Sequence, residues 1–148
     1  MDTKPLPKNI EILLVEDSPA DVLLTREAFE QNRIVNAIHV AEDGIQAMDF
    51  LNQRGAHASA PRPDLILLDL NLPRMNGREV LAEIKADPDL KTIPIVVLTT
   101  SGAEEDILKA YHLNANCYVV KPVGLDNFMK AMQCVGHFWF SVVALPSE

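Results

Sequence analysis

The sequence predicts an α/β protein in which one parallel sheet is covered by helices on both faces. Five short apolar runs alternate with longer segments whose apolar residues recur at helical intervals along the 148-residue chain. Two of the central runs are almost unbroken, as strands are when both faces of a parallel sheet are buried. Since crossover connections between parallel strands are right-handed, this βαβαβαβαβα order favours a single doubly wound sheet.

The first strand and helix open the predicted fold. The segment "IEILLVE", residues 10–16, reads as a strand. Ser18 is a candidate N-cap, followed by Pro19 at the first helical position and Asp21 at the third. The helix that follows is expected to keep four apolar residues near one face: Val22, Leu23, Ala28 and Phe29.

The remaining elements repeat this alternation. Strands are predicted at 34–40, 64–70, 93–100 and 116–122. Helices are predicted at 43–53, from 77 to about 87, from about 104, and from 125 onward. Residues 54–63 contain Gly55, Pro61 and Pro63 and are expected to form a long loop.

Composition indicates one globular domain and excludes several classes of function. We expect a polar tail over residues 1–9, without a signal peptide, and one folded domain over 10–148 that ends in an extended C-terminal helix and tail. The net charge of −8 argues against nucleic acid as a partner, and no apolar run is long enough for a membrane helix. Cys117 and Cys134 are too few for a disulfide framework, which favours reduced thiols in the cytoplasm.

Polar residues stand where four of the predicted strands end. Glu16 and Asp17 follow the first strand, Asp69 the third, Thr99 the fourth and Lys121 the fifth. The carboxyl ends of parallel strands share one edge of the sheet, where such folds place their working sites. Carboxylates held together repel one another unless a cation offsets their charge. All-oxygen ligands suit Mg²⁺, so we expect a magnesium site with a lysine beside it.

These segments resemble the receiver domain of two-component response regulators. The resemblance rests on "LLVEDSPAD", "LILLDLNLPRMNG", "IPIVVLTTS" and "CYVVKP", and it extends from residue 10 to the last helix. Thr99 lies 30 residues after Asp69, and Lys121 lies 22 residues after Thr99, as in that family. The resemblance implies a flavodoxin-like (βα)5 fold whose five-stranded parallel sheet has the order 2-1-3-4-5.

The resemblance also assigns a phosphoacceptor and a metal site. It makes Asp69 the residue that is phosphorylated. Asp17 would bind Mg²⁺ directly, and Glu16 would act through water or hydrogen bonds. The backbone carbonyl of Asn71 would complete the protein ligands, with Asp69 as a further one.

Three further residues receive roles from the same resemblance. Lys121 would pair with Asp69 and then with the phosphoryl oxygens, and Thr99 would donate its hydroxyl to the bound phosphoryl group. Tyr118 matches the aromatic residue that switches position on phosphorylation. The protein would therefore be no enzyme beyond catalysing its own Mg²⁺-dependent phosphorylation and dephosphorylation.

A narrower resemblance concerns the partner. The segments "PRPDLILLDLNLPRMNGREVLAEIK" and "FWFSVVALP" are similar to the stand-alone response regulators that are paired with cyanobacterial phytochromes. This similarity implies a phytochrome, a light-sensing histidine kinase, as partner and a homodimer built on the fourth helix, fifth strand and fifth helix. Phe138, Trp139 and Phe140 are the expected dimer residues, and the alternative is a tail that folds back on the domain.

Other functions stay open at this point. Glu16 stands where many receivers have Asp, and Thr100 follows Thr99 where a small residue is common. One alternative is a receiver-like interaction module that is never phosphorylated. Another is an enzyme, either a flavin-binding relative or an aspartate-nucleophile phosphatase. Against it, no glycine-rich loop follows the first strand, and Asn71 occupies the position of the phosphatase's second aspartate.

Overall fold

The computed structural model describes residues 10–31, 36–99, 115 and 117–121. They contain one five-stranded parallel sheet in the order β2-β1-β3-β4-β5. The strands are β1 (Ile10–Val15), β2 (Asn36–Ala41), β3 (Leu65–Asp69), β4 (Ile95–Thr99) and β5 (Cys117–Val120). The predicted fold class and strand order are confirmed. Each strand is shorter than predicted by one to three residues, and β2 to β5 begin one or two residues later than predicted.

Three α-helices are described, and side chains cap their N-termini. They are α1 (Pro19–Gln31), α2 (Gly44–Leu51) and α3 (Gly77–Ala86), and a short 3-10 helix, Gly55–His57, lies in the long loop. The backbone N–H of Asp21 donates to Ser18 Oγ at 3.3 Å, as expected for an N-cap. The tail over 1–9 and the helices predicted from 104 and 125 lie outside the described residues.

Two apolar clusters pack on opposite faces of the sheet, because successive strand residues point to opposite sides. One lies under α2 and α3, and its buried strand residues are Leu13, Val15, Ala41, Ile66, Leu68, Ile95 and Val97. The other lies under α1, and its strand residues are Ile10, Ile12, Leu14, Leu65, Leu67, Val96, Leu98 and Val119. Both faces of the sheet are therefore buried, which accounts for the nearly unbroken apolar strands.

The buried face of α1 differs from the prediction at one position. Thr25, Ala28 and Phe29 are buried, whereas the predicted inward residue Leu23 is 57% exposed. Leu23 lies two residues, or about 200°, around the helix from Thr25, so both cannot face the sheet.

No helix within the described ranges combines the length and apolar character that a membrane crossing requires.

The register of the parallel strands brings their carboxyl ends to one edge of the sheet. Val15 pairs with Leu68, and Asp69, one residue further along β3, pairs with Leu98. Thr99, the last residue of β4, pairs with Val120. Because the four strands end within about one residue of each other, the residues that follow them meet at this edge.

Candidate functional site

Three carboxylates meet at the carboxyl edge of the sheet. Glu16 and Asp17 follow β1, and Asp69 ends β3. Each of them offers an oxygen within 4.8 Å of the oxygens of the other two. Glu16 and Asp69 are buried, whereas Asp17 is exposed, so the group opens to solvent on the Asp17 side. We call these three residues the acidic cluster.

The ammonium of Lys121, directly after β5, contacts two members of the acidic cluster. Its Nζ lies 2.7 Å from Glu16 Oε1 and 3.0 Å from Asp69 Oδ2. It also donates to Asp21 Oδ2, on the first turn of α1, at 2.9 Å. Burial lowers the pKa of Lys121, but the contacts with these three carboxylates outweigh it and raise the pKa above its usual value. Lys121 is therefore a permanent cation.

Both oxygens of Asp69 are held in position. Oδ1 accepts from the backbone N–H of Asn71 at 3.0 Å, and Oδ2 accepts from Lys121 Nζ at 3.0 Å. Only 3% of the Asp69 side chain is exposed. Each carboxylate oxygen has a second lone pair, so Asp69 can still bind a cation or act as a nucleophile from this fixed orientation.

Glu16 is the most deeply buried member of the cluster. Its backbone N–H donates to Ala41 O at 2.9 Å, and its Oε2 accepts from Ser18 N at 3.2 Å. Oε1 is buried without a hydrogen bond among the described residues, although Lys121 Nζ lies close to it. Burial is the main reason that the pKa of Glu16 is raised from 4.5 to about 7; Asp69 raises it further, and Lys121 opposes the shift.

The acidic cluster has the chemistry of a site for a hard divalent cation. Together with Asp21 it presents four carboxylates against the single ammonium of Lys121. Glu16 Oε1 is buried and lies 2.7 Å from Lys121 Nζ, and a buried carboxylate favours such compensation of its charge by a cation. All the donors are oxygens, the ligands that Mg²⁺ and similar ions prefer. The residues present therefore fit the metal that the sequence predicts.

The other predicted site residues are described to different extents. Thr99 ends β4 at the same edge, but its side chain lies outside the described residues, as do Phe138, Trp139 and Phe140. Tyr118 lies in β5, half-buried against the cluster under α2 and α3, and its hydroxyl accepts from Ala115 N at 3.3 Å. Asn71 is exposed next to Asp69.

Sequence reasoning missed Asp21 as a member of the site. The sequence indicates Asp21 only as an acid at the third position of α1, yet its carboxylate accepts from Lys121, 100 residues away. A signal was present: the first turn of a helix that follows a parallel strand lies at the carboxyl edge, beside the expected lysine. A charged side chain in that turn can therefore reach a residue of opposite charge that follows another strand of the sheet.

Residues 12–133 match the model of the response regulator receiver domain, and the chain belongs to this family. The sheet order, the acidic cluster and the lysine at the end of β5 agree with that membership. Among curated proteins, the chain is 51% identical to the response regulator Rcp1 of Synechocystis sp. (strain ATCC 27184 / PCC 6803 / Kazusa), over 92% of each chain.

Two solved structures extend this comparison. The Mn²⁺-bound form of Rcp1 is 50% identical, with a TM-score of 0.74, over 93% of this chain and 99% of that one. The phosphorylated cyanobacterial phytochrome response regulator RcpA is 48% identical, with a TM-score of 0.75, over 95% of this chain and 100% of that one. The chain is thus related to phytochrome response regulators over nearly its whole length.

Proposed function

We propose that this receiver domain accepts a phosphoryl group on Asp69 from a sensor histidine kinase in the cytoplasm and changes its signalling surface in response. The observation that carries the proposal is the position of Asp69. Its carboxylate is buried, oriented by Asn71 N–H and Lys121, and within ligand distance of Glu16 and Asp17. Such an arrangement serves to position a nucleophile and to balance charge, which is what phosphoryl transfer requires.

The transfer step follows from the roles of these groups. An Asp69 oxygen attacks the phosphorus of a phosphohistidine; the O–P bond forms, the P–N bond breaks, and the imidazole nitrogen keeps that electron pair. Lys121, already 3.0 Å from Asp69 Oδ2, offsets the negative charge that the phosphoryl oxygens bring. A bound Mg²⁺, held by Glu16, Asp17, Asp69 and the Asn71 carbonyl, would supply further charge neutralisation.

The output of the switch rests on Thr99 and Tyr118. We propose that Thr99 donates its hydroxyl to the phosphoryl group and that Tyr118 then rotates inward. The half-buried position of Tyr118 in β5, three residues before Lys121, supports this proposal. The surface that changes would be the fourth helix, β5 and the fifth helix, which we also propose as the face of a homodimer.

Relatives support a phytochrome as the kinase. RcpA is described as a cyanobacterial phytochrome response regulator in its phosphorylated form, and another related structure is a bacteriophytochrome response regulator. Phosphotransfer from a panel of purified sensor kinases tests this part of the proposal. We expect a phytochrome to transfer its phosphoryl group to this chain fastest. Clearly faster transfer from a kinase of another class would contradict the assignment of a phytochrome as partner.

The phosphoacceptor is tested with a small phosphodonor, Mg²⁺ and intact-mass spectrometry. We expect one added phosphoryl group on the wild type and none on Asp69→Asn, because an amide is not a nucleophile toward phosphorus. Asp89→Asn, the same change at an exposed aspartate outside the acidic cluster, serves as the matched control and should label normally. A wild type that stays unlabelled would instead favour the receiver-like module that is never phosphorylated.

A further inference from the structure

We propose that Asp21 is a positioning residue for Lys121, holding its ammonium so that Glu16 and Asp69 are available to a divalent cation. The inference rests on the proposed function, because it assumes that the acidic cluster binds that cation. It concerns a residue outside the cluster, and its effect is measured on cation binding rather than on phosphorylation.

The contacts of Lys121 divide into two kinds. Glu16 and Asp69 belong to the acidic cluster, whose oxygens lie within ligand distance of one another. Asp21 does not belong to it, yet its Oδ2 is 2.9 Å from Nζ. Among the described residues, Asp21 is thus the anionic partner of Lys121 that is not also a candidate metal ligand. Asp21 can keep the ammonium in place while Glu16 and Asp69 bind a divalent cation.

Asp21 is well fixed for this role. Its backbone N–H donates to Ser18 Oγ at 3.3 Å, and its carbonyl accepts from Thr25 Oγ1 at 2.9 Å. Thr25 is itself buried. The Asp21 side chain is 25% exposed, against 3% for Asp69 and 1% for Glu16. Asp21 is therefore the most solvent-accessible of the three carboxylates around the ammonium, and its backbone is held in the first turn of α1.

The loss of Asp21 should lower the affinity of the site for a divalent cation. A lysine ammonium has three donors, and without Asp21 the remaining carboxylate partners are Glu16 and Asp69. Lys121 would then compete fully with a cation for the same oxygens. Removing one negative charge near the site also weakens its attraction for a cation. Both effects lower cation affinity, but only the first one depends on Lys121.

The test measures Mg²⁺ affinity by calorimetric titration of the unphosphorylated protein. We expect Asp21→Asn to weaken binding roughly tenfold, a change that one lost charge-assisted hydrogen bond can produce. The matched control is Glu27→Gln, which removes one charge from an exposed position on the same helix. Its affinity should stay within about twofold of the wild type, since exposed charges are screened.

A double-mutant cycle with Lys121→Met separates the effect that Asp21 exerts through Lys121 from the direct attraction between the Asp21 charge and the cation. In the Lys121→Met background, Asp21→Asn should weaken Mg²⁺ binding clearly less than it does in the wild-type background, because no ammonium is left to position and only the loss of the nearby charge remains. An effect of Asp21→Asn that is as large without the lysine as with it would overturn the inference. So would equal affinities of Asp21→Asn and Glu27→Gln in the wild-type background.

The results that would contradict the proposed function differ from those that would contradict the role of Asp21. If the wild type binds Mg²⁺ and takes up the phosphoryl group while Asp21→Asn behaves like Glu27→Gln, only the role of Asp21 is wrong. If the wild type binds no Mg²⁺, the metal site and this inference fall together. A wild type that binds Mg²⁺ with the expected cycle but stays unlabelled would support the positioning role and contradict the phosphoacceptor.

Discussion

At the scale of single residues, Glu16 shows what it costs to bury a carboxylate beside another acidic side chain. Its Oε1 is buried without a hydrogen bond among the described residues, and its pKa rises from 4.5 to about 7, mainly because of burial. Folding therefore favours the protonated carboxyl group of Glu16 more than the unfolded chain does, between about pH 4.5 and 7. A protein that needs Glu16 only as a hydrogen-bonded carboxylate could hold it at lower cost near the surface.

This shift predicts how stability depends on pH without metal. Because the pKa of Glu16 is higher in the folded state, folding takes up a proton between about pH 4.5 and 7, and its contribution to stability falls as pH rises through that window. In EDTA, Glu16→Gln should remove this fall, with a gain on the order of 2 kcal/mol over the wild type at pH 8.

Urea unfolding of both proteins at pH 5 and pH 8 measures the difference. Lys121, whose pKa is raised above 10.5, loses its contribution only at higher pH, and Asp43, whose pKa is lowered below 3.8, only at lower pH. Neither therefore mimics the effect in this window. Equal pH dependence of Glu16→Gln and the wild type would show that Glu16 is not the group that titrates.

At the scale of elements, the loop between β3 and α3 fixes the candidate phosphoacceptor. The backbone N–H of Gly77 donates to Leu70 O at 3.1 Å and closes the loop. A Cβ on Gly77 would lie 2.2 Å from Asp69 O and 2.6 Å from Leu70 Cα, both backbone atoms. The start of α3 therefore packs directly against the backbone of Asp69, which only glycine permits.

Gly77→Ala should accordingly destabilise the protein by about 3 kcal/mol in urea unfolding, as overpacking against backbone does. Helix propensity alone predicts the opposite sign, since alanine is favoured over glycine by about 1 kcal/mol. Gly55→Ala is the control: Gly55 has φ +57° and no atom within 4 Å of the added Cβ, so only the backbone term of roughly 1–2 kcal/mol applies. If Gly77→Ala destabilised the protein no more than Gly55→Ala, the close approach of α3 to the backbone of Asp69 would not contribute to the free energy of unfolding.

The same loop is also tied to α2. Arg74, at φ 64°, places its Nε 2.9 Å from Asp43 Oδ2, and Asp43 caps α2 through the backbone N–H of Gln46 at 2.8 Å. Burial raises the pKa of Asp43, but these two contacts outweigh it and lower the pKa. A Cβ on Gly44 would lie 2.1 Å from Met75 O, so α2 and the loop pack closely.

The sequence predicted most elements because their signals are local. Asn76 caps α3 and forms a capping box with Glu79, and α3 ends at Ala86, close to the predicted end near residue 87. The contacts of Asp21 with Lys121 and of Arg74 with Asp43 were not predicted. Both join elements that are distant in sequence, and the second depends on a positive φ at an arginine, which no local preference indicates.

At the scale of the whole molecule, the proposed dimer depends on the C-terminal segment. Phe138, Trp139 and Phe140 lie outside the described residues, so this interface stays a prediction from sequence. A change of Trp139 to Asp would place a charge in an apolar interface, which is costly. We expect Trp139→Asp to shift sedimentation toward the monomer, with Leu23→Asp, at an exposed apolar residue of α1, as control. An unchanged sedimentation coefficient for Trp139→Asp would exclude this interface.

Cation binding should stabilise the entire domain, because the acidic cluster joins residues at the ends of β1 and β3, and Lys121, directly after β5, lies beside them. A ligand that binds only the folded state at 100 times its Kd adds about 2.7 kcal/mol, which raises the Tm of a domain this size by about 5–10 °C. Mg²⁺ should produce this rise in the wild type, and EDTA should reverse it. In Asp17→Asn the rise should be lost while the metal-free Tm changes little, because Asp17 is the exposed member of the cluster. An equal Mg²⁺-dependent rise in Asp17→Asn would show that the ion stabilises the fold from another site.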